Sequence, residues 1–187
     1  MLASQGSQEP VSEQDFLDKH SELVYNLALR LTGNRSDAED LAQDALIRAL
    51  KALPKFRGDS QLSTWAYRIT VNAWKNRVRA EKSRGFWKTI SFGAFGGDKD
   101  DDEPVYEPAG NDAPLDTQLE QEGTAAVVQK ALLQLDADDR AIVVLREIED
   151  RSYGEIGAAL GLAEGTVKSR LFRARAKLKI LLDKVSS

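Results

Sequence analysis

Four side chains on one stripe of a predicted helix could hold a nucleic acid. At 100° per residue, Arg68, Asn72, Lys75 and Arg79 fall on one face, with Tyr67, Val71, Trp74 and Val78 on one flank and Trp65 and Ile69 on the other. Cations hold phosphates, an amide side chain presents both a donor and an acceptor to a base edge, and an aromatic ring gives an unpaired base a surface to stack on. Just upstream lies a short loop, Phe56-Arg57-Gly58-Asp59-Ser60, marked by its glycine and polar neighbours. The alternative is a solvated basic face lying over two core tryptophans. Bond-breaking chemistry has little to work with. There is no cysteine, the single histidine, His20, has no partners at matched spacing, and no glycine-rich phosphate loop is present. No metal or cofactor is expected.

The elements that must position this stripe can be read from periodicity and caps. A helix is predicted over Glu13–Leu31, with Phe16, His20, Leu23, Leu27 and Leu31 on one face and His20 packed at its boundary. Thr32-Gly33-Asn34 stops it, and Ser36-Asp37-Ala38-Glu39 opens a second helix with a capping-box pattern. In that helix Leu41, Ala45, Ile47 and Leu50 are predicted to face the core, and Pro54 ends it. Ser63 is predicted to cap the helix that carries the cationic stripe. After Lys82 the pattern fails, and residues 85–117 collect Gly, Pro and Asp. Helices resume near Leu119, with Asp136 capping one that runs to Glu147. Ser152 and Glu155 form a second capping box, Gly161 makes a tight turn, and a longer basic helix begins near Ala163 with Val167, Leu171, Ala174 and Leu178 facing inward. A short helix, a glycine turn and a longer basic helix make a helix-turn-helix, whose second helix enters the major groove. Its outer residues Thr166, Lys168, Ser169, Arg170, Arg173 and Arg175 can reach bases and phosphates.

The chain's 187 residues carry a net charge of −4, which alone would argue against a nucleic-acid partner. The distribution reverses that inference. From Arg68 to Lys88 there are seven Lys/Arg and one Glu (+6), and from Leu162 to Lys179 six and one (+5). Between them, Asp98–Glu122 holds ten Asp/Glu and one Lys (−9). The acidic connector can compete with DNA for the two basic surfaces. The lack of cysteine fits a reducing cytoplasm, no apolar run reaches membrane-span length, and MLASQGSQEP has neither the basic start nor the apolar core of a secretory leader.

Three runs carry a family resemblance. FRGDS, TWAYRI and VNAWKN resemble the promoter-melting and downstream-element-reading segment of bacterial extracytoplasmic-function (ECF, group 4) sigma factors, of the sigma-E type. DAEDLAQDALIRAL resembles the sigma segment that docks on the polymerase clamp, and RSYGEIGAALGLAEGTVKSRLFRARAKLKILL the reader of the upstream, −35 element. Ala66 and Thr70 depart from the Leu and Ala more usual in the family, and Asp136 replaces the usual proline of an Leu-Pro pattern.

The resemblance implies an all-α protein of two small helical domains joined by an acidic flexible linker, the second a four-helix helix-turn-helix domain. Residues 1–12 would form a disordered N-terminus, 13–84 sigma domain 2, 85–118 the linker and 119–187 sigma domain 4. Contacts to the −10 element and melted strand are implied at Phe56, Arg57, Asp59, Ser60, Trp65, Arg68, Asn72, Lys75, Asn76 and Arg79. Contacts to the −35 element are implied at Thr166, Lys168, Ser169, Arg170, Arg173 and Arg175, and to polymerase at Asp37, Asp40, Gln43 and Asp44. The implied partners are core RNA polymerase (the clamp of its largest subunit and the flap of the second), promoter DNA and, as for many relatives, an anti-sigma factor. The other reading is a helix-turn-helix regulator whose N-terminal half senses a signal or dimerises; it leaves the aromatic and cationic helix at Trp65–Arg79 without a role.

Overall fold

The computed structural model describes residues 11–91 and 115–185, which form seven α-helices and, among the described residues, no strand. Helix α1 spans Glu13–Thr32, capped by the Ser12 hydroxyl, which accepts from the Asp15 N–H. Gly33 ends it in the left-handed conformation at φ 80°, and its N–H donates to the Leu29 carbonyl. Helix α2, Arg35–Ala52, is capped by Asn34, not by Ser36 as the sequence pattern predicts. The left-handed turn at Gly33 leaves Asn34 extended, with its side-chain oxygen 2.8 Å from the Asp37 N–H. A 3-10 turn at Leu53–Lys55, with Pro54 in its first turn, leads into the loop.

Helix α3 runs Leu62–Ser91. The Gln61 carbonyl accepts its first bond, from the Trp65 N–H, so Ser63 lies inside the first turn and is not the cap. The helix also continues past Lys82, where its apolar periodicity stops. Residues 92–114, with most of the predicted acidic linker, lie outside the described residues, as do the side chains of Phe86, Trp87, Phe92 and Phe95.

Helix α4 spans Leu115–Gln134, earlier than the predicted start near Leu119. Asp136 caps α5, Ala137–Val143, by accepting from the Asp139 N–H, and the chain continues as a π-helical turn over Val144–Ile148. Helix α6, Tyr153–Leu160, opens with the complete Ser152–Glu155 capping box and closes on Gly161 at φ 68°. Those bonds from Ser152 hold the Glu155 carboxyl below the usual carboxylate range. Helix α7 spans Glu164–Val185, with Val167, Leu171 and Ala174 buried. A Cβ on Gly157 would stand 2.6 Å from the Leu162 carbonyl oxygen, so the close turn between α6 and α7 needs glycine there.

Helices α1, α2 and the first part of α3 pack on Phe16, Leu27, Leu31, Leu41, Tyr67 and Val71, all buried. Helices α4–α7 pack on Leu132, Ile142, Leu145, Ile156 and Leu171. The two halves then share one continuous apolar core, because α6 lies against α3 and the π-helical turn against α1. Polar bonds tie the seam. The half-buried Arg140 guanidinium donates to the Leu31 carbonyl at 2.7 Å and to the Leu133 and Leu135 carbonyls at 2.6 and 3.2 Å, 5.4 Å from the Trp74 ring. Gln129 donates to the Arg30 carbonyl. The C-terminal half thus satisfies carbonyls that the end of α1 leaves without helical partners. At Gly33 the Leu133 side chain fills the place a Cβ would take.

Candidate nucleic-acid interface

Helix α3 presents Arg68, Asn72, Asn76 and Arg79 exposed, with Lys75 half-buried beside them. The stripe expected from periodicity is therefore a real face. The flanking aromatics behave differently. Tyr67 and Trp74 are buried, and so is Trp65, wedged edge-on against Phe16 at 5.8 Å and tilted against Phe56 at 5.2 Å. Trp65, expected among the DNA-contacting residues, is covered by these two rings and leaves little of its surface exposed. It is the wall behind Phe56, which is itself half-buried at the start of the loop. Arg57 and Asp59 are exposed, Ser60 is half-buried, and Gly58 sits at φ 74° between them. The loop thus has an aromatic floor in Phe56 and Trp65 and exposed polar groups at its tip. Thr70, one of the departures from the family pattern, is buried and donates to the Ala66 carbonyl, so it stays inside the helix's own bonding.

On α7, Lys168, Ser169, Arg173 and Arg175 are exposed and Thr166 and Arg170 half-buried. Ser169 donates to the Thr166 carbonyl, and Lys168 lies 5.4 Å from the Tyr153 ring. Arg175 pairs with Glu147 at 2.6 Å, while Lys177 bonds Asp136 and the largely buried Asp139. The Asp139 N–H and Lys177 together hold the Asp136 carboxyl below its ordinary range. Sequence reasoning missed Phe172. It is 77% exposed, in the middle of these polar groups, where an apolar ring serves no packing role. Its spacing from Lys168 and Ser169 was the available signal. An exposed apolar ring beside hydrogen-bonding groups suits contact with a thymine methyl in the major groove.

The residues expected to dock on polymerase lie on α2 with differing exposure. Asp40 and Gln43 are exposed and Asp44 half-buried, where it accepts from Arg48 at 2.8 Å. Ile47, expected in the core, is 45% exposed and continues the Asp40, Gln43, Asp44 row by one turn. The core on this side is formed by Ala38, Leu41, Ala42, Ala45 and Ala49. Asp37 is engaged within the fold, bonded by Asn34 and by Arg77 of α3, each at 2.8 Å. His20 packs on Phe16 with its Nδ1 buried and unpartnered, and burial lowers its pKa. Among the described residues no cluster of carboxylates and histidine could hold a metal, and no helix is long and apolar enough to cross a membrane.

Two family models match the chain, Sigma-70 region 2 over residues 16–84 and Sigma-70 region 4 over residues 125–178. The chain is 35% identical, over 97% of its length and 83% of the relative's, to the ECF RNA polymerase sigma factor SigM of Mycobacterium tuberculosis. The chain belongs to the ECF RNA polymerase sigma factors. It is 38% identical to SigE of Mycolicibacterium smegmatis over 94% of the chain, which spans 63% of that relative's length. Its shape is similar to that of the sigma factor RpoE of Bartonella quintana, solved in complex with the anti-sigma factor NepR, with TM-score 0.66, 30% identity and coverage of 91% of this chain and 96% of that one. In this sigma factor the region 2 match takes in α1, α2 and most of α3, and the region 4 match takes in the helix-turn-helix of α6 and α7. Both candidate DNA surfaces thus fall inside the matched segments.

Proposed function

We propose that this sigma factor binds core RNA polymerase, directs it to promoters through their −35 and −10 elements, and promotes strand opening. The observation that carries this is the presence of two exposed cationic surfaces of different kinds in one chain. On α7, Lys168, Ser169, Arg170, Phe172 and Arg173 suit duplex readout in the major groove. On α3, Arg68, Asn72 and Arg79 beside the Phe56 loop suit an unpaired strand, with phosphates on the arginines and a base between Phe56 and Asn72. An unpaired base can be read on its pairing edge only after leaving the stack, at a cost of a few kcal/mol, which binding must offset in a chain without ATP chemistry.

Residues 13–84 act in polymerase docking and −10 recognition and residues 119–187 in −35 recognition, joined by the acidic segment at 85–118. Core polymerase meets Asp40, Gln43, Asp44 and Ile47 through its clamp, and the C-terminal half through its flap. The chain works in the cytoplasm and performs no bond chemistry of its own; polymerase supplies that. An anti-sigma factor is a further partner, in keeping with the complex of the Bartonella relative. The experiment is run-off transcription by core polymerase, with and without this chain, on genomic fragments. Transcripts that depend on the chain are expected. Promoter binding without any gain in transcription would point instead to a helix-turn-helix regulator.

A further inference from the structure

Helix α7 carries a glycine that the fold does not require. Other glycines have reasons within the chain: Gly33 and Gly161 stand at φ 80° and 68°, and a Cβ on Gly157 would meet the Leu162 carbonyl oxygen at 2.6 Å. Gly165, in the first turn of α7, has neither reason. Its φ is not positive, and a Cβ there would meet nothing within 4 Å beyond its own turn. The neighbouring Glu164 leans over Gly154 of α6, with Oε1 3.1 Å from the place a Cβ would take there. Alanine would fit at Gly165 without strain and would stabilise the helix, because glycine loses more backbone freedom on folding. Gly165 is also exposed, so no packing within the chain offsets that loss. The reason for a bare backbone at this point lies outside the chain.

Its place on the helix says what lies there. At 100° per residue Gly165 heads the row of Lys168, Ser169 and Phe172, on the side of α7 opposite the buried Val167, Leu171 and Ala174. Lys168 and Ser169 are exposed, and Phe172 is 77% exposed. A recognition helix brings its N-terminal residues to the base edges, so a side chain at the head of this row would be the first to meet the duplex. We propose that Gly165 is left without a side chain for duplex DNA: here the α7 backbone comes closer to the groove than a methyl group allows, and that closeness sets how deeply Lys168, Ser169 and Phe172 reach. Hydrogen bonds to base edges need donor and acceptor within about 3.2 Å, and a helix held off by one added carbon exceeds that limit. Gly165 reads no base itself. It is a positioning residue, and it acts on specificity through the side chains behind it.

The inference rests on the assignment of α7 to duplex reading, and its test separates the two. Gly165→Ala is compared with the wild-type chain and with Gly123→Ala. Gly123 lies in α4, outside the helix-turn-helix, and is likewise exposed with nothing within 4 Å of the place of a Cβ. Thermal melts of the free chains read stability. Titration of holoenzyme with a promoter duplex found by run-off transcription, and with single-base variants of its −35 element, reads binding. Both alanine variants should melt about 1–4 °C above the wild-type chain. Gly165→Ala should nonetheless bind the promoter duplex about tenfold more weakly and discriminate less among the −35 variants, while Gly123→Ala binds as the wild type does. A lower melting midpoint in Gly165→Ala would show that the fold needs this glycine, and overturns the inference. An equal loss of binding from Gly123→Ala overturns it too. Arg170→Ala and Phe172→Ala are titrated beside them. If these two weaken binding and Gly165→Ala does not, the inference alone fails; if none of the three does, the assignment of α7 to duplex reading fails with it.

Discussion

The Tyr67 hydroxyl donates to the Glu149 carboxylate at 2.8 Å, across 82 positions of sequence and across the seam between the two halves. Arg151 lies 5.3 Å from the same ring, so the pair sits in a small ionic cluster at the foot of α6. Burial and the neighbouring Glu149 raise the Tyr67 pKa well above its ordinary 10.0. A group that binds its proton more tightly when folded stabilises the fold below its unfolded pKa and withdraws that stabilisation as pH rises beyond it. Stability of the wild-type chain should therefore hold up to about pH 10 and fall above it. In Tyr67→Phe the fall should be shallower. At neutral pH that variant should lose about 1–2 kcal/mol, since Glu149 loses its donor. Urea unfolding across an alkaline pH series checks both; parallel pH profiles for the two proteins would show that Tyr67 does not titrate as the structure requires.

The docking face makes a second prediction. Asp40→Lys with Asp44→Lys should abolish co-elution with core polymerase while shifting stability by no more than about 0.5 kcal/mol, because both side chains lie at the surface and their pairs with Arg77 and Arg48 are exposed. Ile47→Lys should weaken docking with no cost to the core. Asp37→Ala differs: it strips partners from Asn34 and Arg77 and should cost about 1 kcal/mol of stability through the α2 cap. Thermal melts and size-exclusion chromatography separate the two effects, and normal co-elution of the double variant would remove Asp40 and Asp44 from the interface.

Duplex reading divides among the α7 residues. Arg170→Ala should cost about 1–3 kcal/mol of discrimination at one base pair if its guanidinium meets a guanine. Phe172→Ala should relax preference at a thymine, with little change in stability, because the ring is exposed. Arg175→Ala should weaken binding to all sequences alike. The measurement is holoenzyme binding to a panel of promoter variants; a uniform loss from Arg170→Ala would make it a phosphate contact.

Strand opening depends on the Phe56 loop and Asn72. Phe56→Ala and Asn72→Ala should impair opening far more than holoenzyme assembly, as read by permanganate footprinting. A pre-melted bubble should rescue Phe56→Ala more fully than Asn72→Ala, since base identity must still be read. Trp65→Ala should instead lose about 3–5 kcal/mol of folding stability, the cost of emptying a core site. Opening by both loop variants at the wild-type rate on closed templates would place the pocket elsewhere.

Local patterns in the sequence determined much of this protein. The α1 periodicity, the Ser152–Glu155 box, the Gly161 turn and the exposed stripes on α3 and α7 all depend on residues within a turn or two of each other, so their spacing carries them. Cap choice was less legible. Asn34 displaces Ser36 because the left-handed Gly33 decides where the chain re-enters a helix, and periodicity does not encode that angle. Burial beside the stripe was illegible for a related reason. Trp65 and Ile47 each lie on a flank where the sequence allows either side, and only the positions of Phe16 and the alanines of α2 send one inward and the other out. The seam is the work of tertiary structure alone. Tyr67 with Glu149, Arg140 with Leu31, and Lys75 with Asp138 join residues far apart in the chain, and no local signal pairs them. Composition announced that acidic groups would meet the basic helices. Packing decided that among the described residues these include Asp37 and Asp40 at Arg77 of α3, Asp138 between Lys75 and Arg170, and Asp136, Asp139 and Glu147 at α7, because a carboxylate competes for a cation only where the fold brings it within about 4 Å.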